Sequence, residues 1–526
     1  MSILNGGRKY TSSEFPGISR GKGMGKISRS ASSTSMLNKA KISDSFRNHH
    51  AGAASSSITV GKSSRRPRRR LLGNIDQRAL ARTLTVLAAA VVVGLGVMLI
   101  VTAARSGGRQ VADLATIDVI DGDVITADDT GATVTIALGG SIRLQDEVIS
   151  AAVTGDGYDF NNYLSEVKSV MTADISIAGI AGTIDGSGGN EGVAGYPAPN
   201  YPLQIVDSLA NIGVNYAVCA GRATMRHGYD AMAATVDNLG GRGITALGVT
   251  TNPETGSAYS VRRVNSVSIG VAAYNCVTAD ELESMTNEQL GGGFTREQLA
   301  YCANQLDITK ASETIVADVE AMRSAGAKFV IVCLNWGGTD LTAPNYEMRS
   351  LAQEMIDHGV DVTVGYGSDQ MQKITVKKYT DEDGASKNCY VFYSLGDLFT
   401  DSGSGSDISR QESMVINFTL RRAAGSDDVS IEGAYYHPIY VNRDETYESE
   451  STYLKYRVVP AARYVDAETL PEVFSTGAQW ERCVQTFTDV RRNFQEEWGM
   501  SDYFVLGQVE KVDSVSDISS GEDAHL

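Results

Sequence analysis

Histidine is scarce in this 526-residue chain, six in all, and it is missing where an α/β fold would use it. In "VCLNWGGTDLTAPNYEMRSLAQEMIDHGVDVTVGYGSDQMQ", Val332 to Gln372, an apolar run ends in a small polar loop and an amphipathic helix follows. A second apolar run then ends in another polar loop. Ligands of α/β proteins sit just past such strand ends, yet these loops offer Asn335, Gly367 and Asp369. Other absences narrow the chemistry further. No Cys-x-x-Cys or Cys/His spacing suggests zinc. There is no Gly-x-Ser-x-Gly elbow and no nucleophilic Cys–His pair, and Cys389 lies in an apolar run with nothing to lower a thiol pKa. The glycine-rich "GGGFTRE" and "GGNEG" lack a P-loop lysine and its strand–helix frame, so both read as loops, and "GSGSD" reads as a linker. Asp381-Glu382-Asp383-Gly384 lacks the spaced ligands and terminal Glu of a calcium loop and reads as a hairpin tip. The chain has no internal repeat.

One long stretch has no charge at all: "TLTVLAAAVVVGLGVMLIVTAA", Thr83 to Ala104. As a helix its 22 residues would span roughly 33 Å, enough for a bilayer core. A cleaved signal peptide has a shorter apolar core and a far shorter leading segment. Residues 1–82 carry 17 Lys and Arg against three acids, about +14, which leaves about −31 on the other 444 residues. Arg65, Arg66, Arg68, Arg69 and Arg70 precede the span, so the positive-inside rule places the N-terminus in the cytoplasm and the bulk of the chain outside. Residues 1–82 hold too few large apolar residues to bury a core and read as a disordered basic tail. Its arginine cluster suits a topology signal or a contact with anionic lipid headgroups; beside a span, lipid is preferred to nucleic acid. The acidity of the outer part argues against nucleic acid as well. The six cysteines, Cys219, Cys276, Cys302, Cys333, Cys389 and Cys483, are dispersed and read mostly as buried, unpaired thiols.

From about Ile117 onward, short β-rich runs alternate with helical ones. "VTIAL" (134–138), "ISIA" (175–178), "YAVC" (216–219), "VSIGVAAY" (267–274), "KFVIVCL" (328–334), "DVTVG" (361–365) and "YVFYSL" (390–395) read as strands, several of them covered on both faces. Ile308, Ile315, Val319 and Met322 mark one helix face, and Leu351, Met355 and Ile356 another, with Gly326 and Gly359 as stops. "SMVINFTL" and "VSIEGAYYHPIYV" alternate as an antiparallel pair. Trp480, Cys483, Phe487, Val490, Phe494 and Trp498 form the stripe of a long amphipathic helix ended by Gly499, read as docked on its own domain. The organisation that follows is a basic tail (1–82), a transmembrane helix (83–104), a linker with a short β segment (105–131), a main domain (132–445), a C-terminal extension with the amphipathic helix (446–510) and an acidic tail (511–526).

The order of motifs in the main domain resembles the CapA family, the capsule and poly-γ-glutamate synthesis proteins. "GYDFNNYLSEVKSVMTADISIA" is similar to its Tyr-Asp-Phe segment and Ala-Asp strand. "GYPAPNYPLQIVDSLANIGVNYAV" is similar to its Gly-Tyr-Pro run and helix. "NWGGTDLTAPNYEMRSLAQEMIDHGVDVTVG" resembles its His-Trp-Gly strand, Pro-Asn turn and Gly-Ala-Asp strand, and "VFYSLGDLF" its Tyr-Ser-Leu-Gly-Asn-Phe. The resemblance implies an α/β, calcineurin-like metallophosphoesterase fold with layered mixed sheets flanked by helices. It also implies a place among the envelope-polymer synthesis machinery.

The family's ligand motifs are where this chain departs. The Gly-Asp ending the first strand, and the following His, read Gly140-Ser141 and Gln145 here. Asn-Leu-Glu reads Gly179-Ile180-Ala181. Ala-Asn-Asn-His reads Ala220-Gly221-Arg222-Ala223, and the next Asp is Arg226. The His of His-Trp-Gly is Asn335, ahead of an intact Trp336; the two His of Gly-x-His-Pro-His are Gly367 and Asp369. A divalent metal pair needs converging carboxylates and neutral imidazoles, and Arg226 would instead set a fixed cation among them. The expectation is a non-catalytic relative, a pseudoenzyme with no metal or other cofactor, anchored in the plasma membrane. Two other readings stand beside it. One is a metal-dependent hydrolase with ligands relocated to Asp146, Asp185, His227, Asp340 and Asp369. The other is an envelope receptor that binds an anion through Arg222, Arg226 and His227. His358, at a helix end, and His437, in a strand, read as structural.

Overall fold

In the computed structural model the described residues are 118–119 and 130–511, apart from 156, 187–191, 252–258, 302–303, 337, 339–340, 402–407 and 445–453. They belong to one compact unit. The expected tail at 1–82, the span at 83–104, most of the linker and nearly all of the acidic tail lie outside them, as do Cys302 and Asp340. Among the described residues no helix is long and apolar enough to cross a membrane.

Two mixed sheets form the frame. Ala132–Arg143 (β1), Ile175–Ile180 (β2), Tyr216–Val218 (β3) and Thr245–Leu247 (β4) run parallel in the first. Tyr259–Val264 (β5) pairs antiparallel with Val267–Val277 (β6) in the second. Phe329–Asn335 (β7) and Val362–Tyr366 (β8) continue it in parallel. Ile374–Thr380 (β9) and Ser386–Phe392 (β10) close its edge as a hairpin. The chain then returns to the first sheet, where Asp397–Thr400 (β11) lies beside the end of β1. Glu412–Arg422 (β12), Val429–Arg443 (β13) and Tyr456–Pro460 (β14) complete it as an antiparallel meander. The strand orders are β14-β13-β12-β1-β2-β3-β4 and β5-β6-β7-β8-β10-β9.

Side-chain alternation explains the layers. In β7, Phe329, Ile331 and Cys333 enter a core that also holds Val134, Ile136, Ile175 and Ile177 of the first sheet. Val330, Val332 and Leu334 enter a second core on the opposite face. Because both faces are buried, the strand reads as one unbroken apolar run. Gln204–Asn211 (α1) and Tyr229–Gly240 (α2) cover the outer face of the first sheet with Ile205, Leu209, Met232 and Leu239. Ala311–Ser324 (α3) and Tyr346–Asp357 (α4) cover the second with Ile315, Val319, Leu351 and Met355. The result is a mixed α/β fold, two sheets face to face with helices outside.

Local chemistry fixes the element ends. Asn345 caps α4 by accepting from the Met348 amide at 2.8 Å, and Gly359 ends it in the left-handed region, φ +67°. His358 sits at that end with Nδ1 2.9 Å from the Glu354 carbonyl. The amphipathic helix spans Gly477–Arg492 (α5) and runs on as a π turn to Glu497. Cys483 packs with Tyr440, Tyr464 and Phe474, while Val490 and Phe494 reach the core between the sheets. Asp381 accepts from the Ala385 amide at the β9–β10 tip, where Gly384 has φ +86°. Cys219, Cys276, Cys333, Cys389 and Cys483 are buried free thiols. Burial pushes Cys219 up to about 12 and Cys389 to about 11 against the opposing pull of Lys387. Strands β4, β5, β9, β11 and β14 were not among those expected.

Candidate functional site

Strands β1, β2 and β3 of the first sheet and β7 and β8 of the second end at one cleft of about 400 Å³. From the first sheet come Ser141 and Arg143 at the end of β1, Gly179, Ile180 and Ala181 at the end of β2, and Gly221, Arg222, Ala223 and Arg226 after β3. From the second come Asn335 at the end of β7, and Tyr366 and Gly367 at the end of β8. Tyr196, Pro197 and Pro199 form the facing wall. Strand ends are where an α/β fold places ligands. A second cavity of about 340 Å³, beneath α5 and the Met500–Leu506 segment, has Arg491 as the one charged residue among its described lining residues, which are otherwise largely apolar.

Eight of the eleven positions singled out by sequence line this cleft: Ser141, Gly179, Ala181, Arg222, Ala223, Arg226, Asn335 and Gly367. Gln145 lies outside it, bound to the Thr400 hydroxyl at 3.1 Å and the Asp401 amide at 2.6 Å. Trp336 faces the outer core of the second sheet, stacked on Tyr393 and donating to the Tyr393 carbonyl at 3.1 Å. Asp369 is buried and pairs with Arg410 at 2.7 Å. His227 is not a lining residue; its Nε2 is 3.3 Å from the Ala198 carbonyl oxygen.

The side chains present do not fit a metal pair. Among the described lining residues there is no carboxylate, imidazole or thiol, and there are three arginines. The ring of Tyr366 crosses from the second sheet to the first, and its hydroxyl donates to the Gly139 carbonyl at 3.3 Å. A Cβ at position 179 would meet this ring at 2.7 Å, so the tyrosine fills space that a side chain at the end of β2 would need. Burial raises the Tyr366 hydroxyl pKa well above the usual tyrosine range. Asn335 donates to Asn275 Oδ1 at 2.8 Å, Asn275 donates to Gln305 Oε1 at 2.8 Å, and Gln305 donates to the Ala220 carbonyl at 2.9 Å. This relay of neutral amides ties β7 to the loop after β3.

Of the residues expected as relocated ligands, Asp340 lies outside the described residues, and the other four are each engaged in separate contacts. Asp146 accepts from the Gly195 amide at 2.7 Å, Asp185 accepts from Asn200 at 3.1 Å, and Asp369 is held by Arg410. Among the described residues no three His, Cys, Asp or Glu side chains gather where they could hold a metal ion. His437 is buried in β13, and burial pushes its pKa down to about 4.

Arg143 and Asp397 were not read as site residues, and they organise the cleft floor. Arg143 Nε lies 2.9 Å from Asp397 Oδ2, with 10% of the arginine side chain exposed and none of the aspartate's. Its Nη2 donates to the Gly367 carbonyl at 3.1 Å, and its guanidinium lies 5.8 Å from the centroid of the Tyr196 ring. Burial raises the Asp397 pKa to about 6, while Arg143 opposes the shift. Tyr201 braces the same floor, accepting from the Leu144 amide at 3.1 Å and donating to the Ala181 carbonyl at 2.8 Å. Arg222 pairs with Glu288 at the cleft rim. Arg226 has no acidic partner among the described residues.

A family model described as bacterial capsule synthesis protein PGA_cap matches residues 135–402. Among solved structures, calcineurin-like phosphoesterase YfkN from Bacillus subtilis is similar at 11% identity and a TM-score of 0.34, over 70% of this chain and 99% of that one. A hypothetical protein from Thermus thermophilus is similar at 10% identity and a TM-score of 0.30, over 58% and 99%. No curated relative matches the chain.

Proposed function

The chain belongs to the bacterial capsule synthesis protein family PGA_cap, and from that premise we propose that it serves capsule or other surface-polymer biosynthesis as a non-catalytic binding or assembly component. A role in capsule biosynthesis follows from the membership. The non-catalytic part rests on one observation: the strand-end cleft is lined by three arginines and by no carboxylate, imidazole or thiol among the described residues. Hydrolysis through a metal pair requires charged and imidazole ligands to converge there. Small neutral side chains, a tyrosine ring and an amide relay stand in those places instead.

In this reading the uncharged stretch 83–104 holds the protein in the plasma membrane as a single span, with the basic tail in the cytoplasm against anionic lipid and the described domain outside. The cleft then faces the compartment where a surface polymer is assembled. A deletion strain of the source organism tests the role. The gene should restore surface polymer, and a variant carrying Asp369→Asn and His227→Gln should restore it to the same level where it accumulates normally. Restoration by the native gene alone, with the variant present in equal amount, would overturn the non-catalytic reading in favour of relocated ligands.

A further inference from the structure

We infer that Arg143 is a built-in cation standing among the vacated metal-ligand positions, and that with Arg226 it makes the cleft a metal-independent receptor for an oxyanion, a phosphate or carboxylate carried on one small unit. The inference rests on reading the cleft as a binding site and adds what it binds and through which side chains.

The first support is preorganisation. Arg143 is fixed on two sides, by Asp397 on β11 and by the Gly367 carbonyl after β8. Its Nη1 has no partner among the described residues, although the residue lines the cleft. A guanidinium held in this way loses little side-chain entropy when a ligand arrives. It also keeps its charge at any physiological pH, which a metal site with protonatable ligands does not.

The second support is the local charge balance. Asp397 offsets Arg143, Asp369 offsets Arg410, and Glu288 offsets Arg222. Arg226 is left as the lining cation without an acidic partner among the described residues. The outer part of the chain is strongly acidic, but at physiological ionic strength exposed charges are screened beyond about 8 Å. The arginines nearest the ligand therefore decide the sign of the field it meets. Arg143, with its Nη1 unpartnered among the described residues, and the exposed Arg226 line the same cleft, and both offer charge-assisted donors to an oxyanion.

The third support is size and walling. At about 400 Å³ the cleft is at the small end of the range for small-molecule pockets, roughly 300–1,000 Å³. Tyr196, Pro197 and Pro199 give it one apolar wall. One polymer unit or precursor fits that space better than a run of chain.

Calorimetry on the full-length, detergent-solubilised protein tests the inference, with inorganic phosphate and glucuronate as probes, glucose as the neutral control, and EDTA present or absent. Phosphate, glucuronate or both should bind, glucose should not, and EDTA should leave the affinity unchanged. Which anion responds tells a phosphate-bearing unit from a carboxylate-bearing one. Arg226→Ala should weaken binding at least fivefold, and Arg143→Lys at least tenfold with the fold intact by circular dichroism. No binding of either anion, binding abolished by EDTA, or native affinity in both variants would overturn the inference. Absent binding without bound metal or turnover removes the anion site alone, whereas metal-dependent turnover of a phosphodiester removes the non-catalytic reading with it.

Discussion

Arg143 and Asp397 meet at 2.9 Å across neighbouring parallel strands, 254 positions apart in the chain. The pair lies at the floor of the strand-end cleft. A buried pair of this kind is poor evidence of net stability, because taking two charges out of water offsets much of their attraction. Breaking it is a different matter.

Arg143→Ala leaves the Asp397 carboxylate buried without its partner. Loss of about 3–5 kcal/mol is expected, read as a shift in the urea midpoint. Arg143→Met with Asp397→Leu should recover most of that loss. Equal losses in the single and double variants would contradict the pairing.

The pH dependence of stability has a definite sign here. Asp397 titrates at about 6 in the folded protein, above its ordinary 3.8, because burial outweighs the help of Arg143. A folded pKa above the unfolded one contributes stability that is fully present below the unfolded value and lost as pH rises through the folded value. Asp397→Asn should therefore gain stability relative to the native protein as pH rises from about 4 to 7. A difference that stays flat across this range would contradict the shift.

Glu412 gives a second, separate test beneath α5. It is buried and accepts from the Thr486 hydroxyl at 3.2 Å. Burial, with repulsion from Asp489, raises its pKa to about 7 from 4.5, against the pull of Thr486, Arg482 and Arg492. Its contribution is present below about pH 4.5 and lost through pH 7, so Glu412→Gln should melt increasingly above the native protein between about pH 5 and 8. Melting curves that keep a constant separation would count against it.

Gly179 and Tyr366 should prove coupled. A methyl group at 179 would press on the Tyr366 ring at 2.7 Å, so Gly179→Ala should cost about 1–3 kcal/mol. Tyr366→Ala should cost about 3–5 kcal/mol by opening a cavity. Together they should cost less than the sum, by about 0.5 kcal/mol or more. Strict additivity in denaturant unfolding would show that the ring does not fill this place.

Much of the frame was legible because its strands are buried on both faces. "KFVIVCL" and "DVTVG" announce themselves by unbroken apolarity, and β1, β2, β6, β7 and β8 all lie where such runs were read. Strands β5, "YSVRRV", and β9, "ITVKKYT", did not stand out, because their charged and partly exposed residues interrupt that signal. The order of motifs located eight of the cleft-lining positions. Gln145, Trp336 and Asp369 were assigned to the same site although Thr400, Tyr393 and Arg410 hold them elsewhere. The Arg143–Asp397 pair was illegible for the opposite reason. Each residue sits in a run that reads as scaffold, and only the return of the chain from the second sheet to the first brings them together.

The central claim is that this cleft cannot hold the metal pair on which hydrolysis by such a fold would depend. Its most direct test is elemental analysis of the full-length protein after exposure to manganese, zinc and iron and removal of loosely bound ions, with phosphodiester hydrolysis measured on the same sample. Metal should stay well below one equivalent per chain, with no turnover above buffer. Two equivalents of metal, with turnover that disappears on chelation and returns on reloading, would contradict the claim.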